Sequence, residues 1–222
     1  MQPSPFPLAT VVYEGLAAEQ HLYELDPALT FELFRDVAGY ALSQRMGVTG
    51  NDPQSAGGSM LYFKLHRRMR DRLAPARWEV ERKWNYETTV HPKKLLKIAV
   101  APGDEFTGSP DRTPSTTERG PLTEEVVAWN QYRLWPVDEV RPLDAVPTYL
   151  LVHYLRFGDG VAQLLTELSL PTRMAARCVV EWKERILLPI VGMDLDPIAR
   201  IRDDEPDGGE EAYTAQVERR VV

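Results

Sequence analysis

A chain of 222 residues with 43% hydrophobic side chains is long enough to bury an ordinary core, and no apolar run approaches the roughly 18 to 20 residues of a membrane-spanning helix. One cysteine, Cys178, excludes an internal disulfide, and with His21, His66, His91 and His153 widely spaced the sequence assigns no metal and names no cofactor. The net charge of −7 hides a segregation: Lys64 to Lys97 holds 11 Lys and Arg against 4 acids, a local +7, so the remaining residues sum to −14.

Residues 1–12 are punctuated by Pro and lack the basic-then-apolar order of a secretory leader, so a cytoplasmic setting is expected, with a short strand at Ala9 to Tyr13. From Pro27 the spacing of Phe31, Phe34, Val37, Ala41 and Leu42 predicts a helix over 27–46, capped by Asp26 and ended by Gly47. A Gly, Asn, Pro and Ser loop follows at 47–59, and Ser59 is placed to cap a helix over 60–73. On that helix Leu61, Leu65, Met69 and Leu73 form one stripe, while Lys64, Arg67 and Arg70 lie off it.

Trp78, Val80, Trp84 and Tyr86 alternate with charged residues, the period of one half-buried strand; His91-Pro92 turns the chain and Leu95 to Val100 returns. Residues 101–123 are rich in Pro, Gly and Thr without a period, which predicts a long flexible loop that a ligand could order, or else a solvated connector. Glu124 to Trp135 suits a strand or a helix equally. Thr148 to Phe157 and Val161 to Leu170 flank Gly158-Asp159-Gly160, a hairpin signal, with Phe157 expected opposite Val161. The spacing of Val179, Trp182 and Ile186 predicts a late helix over 171–188, a strand being the second choice, and 194–222 reads as an acidic, disordered tail.

The expected fold is therefore α+β: two N-terminal helices and a late helix on a mainly antiparallel sheet of five or six strands, a single domain over 1–193. Three sites are candidates. Lys64, Arg67, Arg70, Lys93 and Lys94, with Trp78, Trp84, Tyr62 or Tyr86 to stack on bases and Ser59 at a helix N-terminus, suit a phosphate-bearing ligand; the plain alternative is a solvated basic face over a core strand. Glu79, Glu81 and Lys83 on one strand face have the residue types of a Mg²⁺-dependent nuclease, although alternating surface charge is commoner. His153 and Glu167, as neighbours across the hairpin, would form a general base beside Tyr149 and Gln163, or a structural polar patch. The leading expectation is binding of nucleic acid or another phosphorylated ligand through residues 47–97, with the acidic tail as a competitor for the basic face. An interaction subunit, meeting a protein partner or a second copy, is the alternative, and a nuclease or other hydrolase the third; no membrane partner is expected.

Overall fold

The computed structural model describes residues 9–83, 86–132 and 146–195. Among the described residues eight strands form one mixed sheet: β1 (Val11–Tyr13), β2 (Glu79–Lys83), β3 (Tyr86–Val90), β4 (Lys97–Pro102), β5 (Thr148–Gly158), β6 (Val161–Ala175), β7 (Cys178–Leu187) and β8 (Val191–Asp194). Their order is β1-β7-β6-β5-β4-β3-β2, and β8 pairs with the first residues of β6. The pairs β1 with β7 and β4 with β5 are parallel and the others antiparallel, so the sheet is larger and more mixed than the mainly antiparallel five or six strands expected.

Among the described residues one face carries three helices, not the two N-terminal ones expected. α1 (Gly15–Leu25) lies in a stretch where no helix was expected; α2 (Phe31–Arg45) and α3 (Ala56–Leu73) follow. Thr30, not Asp26, caps α2, its hydroxyl accepting from the Leu33 amide at 3.1 Å. Asp26 instead accepts from the Ala28 amide at 2.7 Å and meets His91 Nε2 at 2.7 Å, fixing the turn between α1 and α2 to the β3–β4 turn. Leu33, Phe34, Val37, Ala41 and Leu42 of α2 and Leu61, Leu65, Met69 and Leu73 of α3 are buried against Ile98, Val100, Leu151, Leu164, Leu168 and Ile186. Arg68 of α3 grips Asp36 of α2 through two hydrogen bonds of 2.7 and 2.8 Å.

The opposite face is covered by α4 (Pro121–Tyr132), which settles the strand-or-helix ambiguity there in favour of helix, and by the segment before it. Val127 of α4 packs with Ala99, Ala101, Leu150, Val152, Val179 and Trp182. Residues 103–120, expected as a flexible loop, are irregular but fastened to the sheet. Asp104 accepts from the Phe106 amide at 3.1 Å and from the Ser115 amide and hydroxyl at 2.8 Å. Trp182 Nε1 donates to the Pro114 carbonyl at 2.9 Å, and Gly103 bridges Thr116.

Three further expectations are corrected, each for a local reason. Residues 78–87 are not one strand but the hairpin β2–β3, in which Lys83 pairs with Tyr86; no Gly or Pro marks the reversal, and Trp84 lies outside the described residues. The β5–β6 turn has two central residues, Asp159 at φ 50° and Gly160 at φ 73°, so Gly158 and not Phe157 stands opposite Val161. The late helix is absent: β6 runs on to Ala175, turns at Ala176 and Arg177 (φ 46° and 65°), and returns as β7. Register shifts between Leu170 and Met174 rotate the ribbon, so that Val179 and Trp182 reach one layer at the three-residue spacing that mimics a helix. The acidic segment from 196 onward lies outside the described residues. No helix among the described residues is long and apolar enough to cross a membrane.

Candidate functional site

The basic stretch is largely neutralised by the protein's own acids. Of its 11 cations, six form ion pairs: Arg67 with Asp71, Arg68 with Asp36, Arg70 with Glu87, Arg72 with Glu32 and Asp36, Arg82 with Glu87, and Lys97 with Glu81. Lys64 is half-buried midway along α3, Lys93 and Lys94 are exposed in the β3–β4 turn, and Lys83 ends the edge strand β2. Trp78 is buried, 6% exposed, with its ring edge-on to His91 at 5.2 Å, so it serves the core and not a stacking surface. Ser59 is exposed in the first turns of α3, which begins at Ala56, and makes an ordinary helical bond to the Ser55 carbonyl.

Glu81 and Lys83 lie on β2, where all five residues are exposed. Lys97 Nζ holds the Glu81 carboxylate at 2.6 Å and the Thr88 hydroxyl donates to it at 3.1 Å. Partial burial pushes that carboxyl up, but the Lys97 ammonium and the hydroxyl outweigh it and leave the pKa below the usual carboxylate range. Among the described residues no three His, Cys, Asp or Glu are grouped to hold a metal ion.

His153 and Glu167 are not neighbours. The turn places His153 opposite Thr166 and Val152 opposite Glu167, and a register change of one residue sends paired side chains to opposite faces. Glu167, fully buried under the 103–120 segment, accepts from Arg185 Nε at 3.0 Å and Nη2 at 2.5 Å, the Ser169 hydroxyl at 2.8 Å and the Gly108 amide at 2.9 Å. Arg185 in turn donates to the Arg112 and Ser109 carbonyls, both at 2.9 Å. With its acceptor sites taken up in this way, Glu167 serves as a structural anchor.

His153 instead joins a cluster under α3. Tyr62, His66 and Arg70 fall at i, i+4 and i+8, one stripe of that helix, and the Tyr62 ring stands edge-on to His66 at 4.6 Å. Arg70 Nη2 donates to Glu87 at 2.6 Å, bringing β3 beneath the helix. β3 and β4 pair only through Thr89–Ile98 and Val90–Lys97, and Arg119 meets the unpaired part of β4, donating from Nη2 to the Val100 carbonyl at 3.2 Å. The Arg119 charge acts on Tyr62, His66, Tyr86 and His153 alike.

The electrostatics of the cluster follow from that crowding. Burial, reinforced by Arg70 and Arg119 and only partly opposed by Glu87, lowers the His66 pKa to about 4; burial and Arg119 lower that of His153 to about 4. Burial pushes the Tyr86 phenol up to about 12, and its hydroxyl lies toward Thr123 but outside hydrogen-bonding geometry. Both imidazoles are thus neutral at pH 7, leaving two guanidiniums against one carboxylate.

Within this group His66 Nδ1 and Nε2, His153 Nε2, Arg70 Nε, Arg119 Nε and the Thr89 and Thr166 hydroxyls are buried without a hydrogen-bond partner among the described residues. Each such group costs about 1 to 3 kcal/mol if left unmatched. Arg119 also lines a cleft of about 280 Å³ with Pro121 and Glu124 at the start of α4 and Met174 to Arg177 at the β6–β7 turn.

Comparison with known protein families, with curated proteins and with solved structures finds no match to the chain. Of the residues singled out from sequence, the fold brings Arg70, His153 and two of the aromatic residues expected to stack on bases, Tyr62 and Tyr86, to this cluster. His66 and Arg119 were missed. The i, i+4, i+8 spacing of Tyr62, His66 and Arg70 was a legible signal, whereas nothing local points to Arg119.

Proposed function

We propose that the protein binds a small phosphorylated or other oxyanionic ligand at the Arg70, Arg119, His66 and His153 cluster, with the cleft beside Arg119 as its approach. The observation that carries this reading is the group of buried polar atoms, two of them guanidinium N–H groups, that make no hydrogen bond to the described residues. An oxyanion supplies acceptor oxygens and balances the positive charge. A small ligand is favoured over nucleic acid because the surface cations are mostly paired and those without an ion pair among the described residues are spread from α3 to the β3–β4 turn. The reading includes a cytoplasmic setting, in keeping with the free thiol of Cys178.

Inorganic phosphate is the probe. Titration followed by calorimetry and thermal melting is expected to show saturable binding and a rise in Tm, as mass action requires of any ligand of the folded state. Arg119→Leu is expected to weaken binding at least about tenfold, the loss of one charge-assisted hydrogen bond. Lys93→Ala with Lys94→Ala is expected to leave it unchanged. Equal binding by wild type and Arg119→Leu would remove the site.

A further inference from the structure

We infer that β2, at the open edge of the sheet, pairs antiparallel with β2 of a second copy of this chain, about a two-fold axis that passes through Glu81 perpendicular to the sheet. β2 pairs with β3 on one side, and among the described residues no strand lies on its other side. All five of its residues, Glu79 to Lys83, are exposed. In a ladder alternate residues turn their N–H and C=O groups away from the existing partner, so β2 presents a row of backbone donors and acceptors to a further strand. The opposite edge of the sheet, β1, is three residues long and offers a shorter row.

Charge decides which strand fits there. Side chains alternate along a strand, so Glu79, Glu81 and Lys83 share one face of β2 and Val80 and Arg82 the other. Charges on an edge strand ordinarily keep foreign strands away. In β2 they are self-complementary. With two copies antiparallel about Glu81, Glu79 of each stands opposite Lys83 of the other, and neither residue is held in an ion pair among the described residues. Val80, 45% exposed in the single chain, stands opposite Arg82, whose methylene stem covers it. The two Glu81 carboxylates meet at the axis, but each is already held by its own Lys97 at 2.6 Å, so these four charges balance. Sliding one copy by two residues sets Glu79 opposite Glu81 in one direction and Arg82 opposite Arg82 in the other, and both registers leave fewer residues paired. Five residues a side bury less than the roughly 1,200 Å² of a stable interface, so the dimer is weak and reversible.

The experiment is sedimentation velocity on the full chain at rising concentration, with charge reversals at the two pairing positions. The wild type is expected to show a sedimentation coefficient that climbs reversibly up to about 1 mM, the range of a weak encounter. Glu79→Lys and Lys83→Glu each set like charges opposite one another at two places, and each is expected to weaken dimerisation at least about tenfold. Mixed in equal amounts, the two variants meet with opposite charges at both places and are expected to recover association to within about threefold of the wild type. The reversals move the net charge in opposite directions, so a general charge effect would weaken one and strengthen the other. Recovery on mixing also requires that both variants be folded, and both substitutions lie at exposed positions. A wild type that stays monomeric throughout, reversals without effect, or a mixture as weak as either variant alone would overturn the pairing.

Discussion

His66 and His153 are held to pKa values of about 4 in the fold, against 6.5 when free of it, so the unfolded chain binds more protons between those limits. The sign follows: their contribution is fully present above about pH 6.5 and is lost as the pH falls toward 4, on the order of 3 kcal/mol for each imidazole. Equilibrium urea unfolding is expected to show stability falling through this window, with a shallower fall in His66→Leu and His153→Leu. A pH-independent midpoint between 6.5 and 4.5 would contradict the neutral burial of both rings. Glu81, Glu87 and Asp36, whose pKa values are lowered, destabilise the fold on acidification only below the ordinary carboxylate range, so the two effects separate on the pH axis. Arg185 makes the complementary case: 1% exposed and bonded to Glu167 and two loop carbonyls, it holds a charge that has no other counter-ion among the described residues. Arg185→Met strands the Glu167 carboxylate and is expected to cost about 3 to 5 kcal/mol in urea unfolding. A loss within about 0.5 kcal/mol, the range of a surface change, would refute the anchoring role.

Among the elements, the 103–120 segment shows how composition misleads. Its Pro, Gly and Thr content reads as a free loop, yet Thr107 and Thr116 are buried and Arg185 and Trp182 reach into its backbone from β7. Gly103 is part of that fastening, because a Cβ there would lie 2.3 Å from Thr107 Oγ1 and 2.6 Å from Val152 Cγ1. Gly103→Ala is expected to cost about 1 to 3 kcal/mol by overpacking and to open the segment to limited proteolysis. An undisturbed digestion pattern would show that the segment is held by other ties. The β5–β6 hairpin teaches a related lesson: its position was plain in Gly158-Asp159-Gly160, but a turn of two residues instead of three moved His153 and Glu167 to different faces and dissolved the pair. The same period-based reasoning found α2 and α3, whose apolar stripes are long, and failed on β7, where a bulge gives a strand a helical spacing.

At the scale of the whole molecule, the charge segregation along the chain is only partly carried into space. Helices on one face bring Asp36 and Glu32 to the α3 arginines, and the β2–β3 hairpin brings Glu81 and Glu87 to Lys97, Arg70 and Arg82. Duplex DNA is therefore expected to bind weakly, with a slope of log affinity against log salt shallower than about −3, since each neutralised phosphate contributes about −0.9. A steeper slope would restore nucleic acid as the ligand. What the amino-acid sequence determined by itself was the α+β class, the amphipathic helices α2 and α3 and the main hairpin, because periodicity and turn chemistry are local properties. Which charges meet was decided by the tertiary structure alone. Arg119 donates to the Val100 carbonyl of β4 and from there its charge acts on His66 and His153, and ion pairing, burial and the resulting pKa shifts depend on distances that no spacing along the chain encodes.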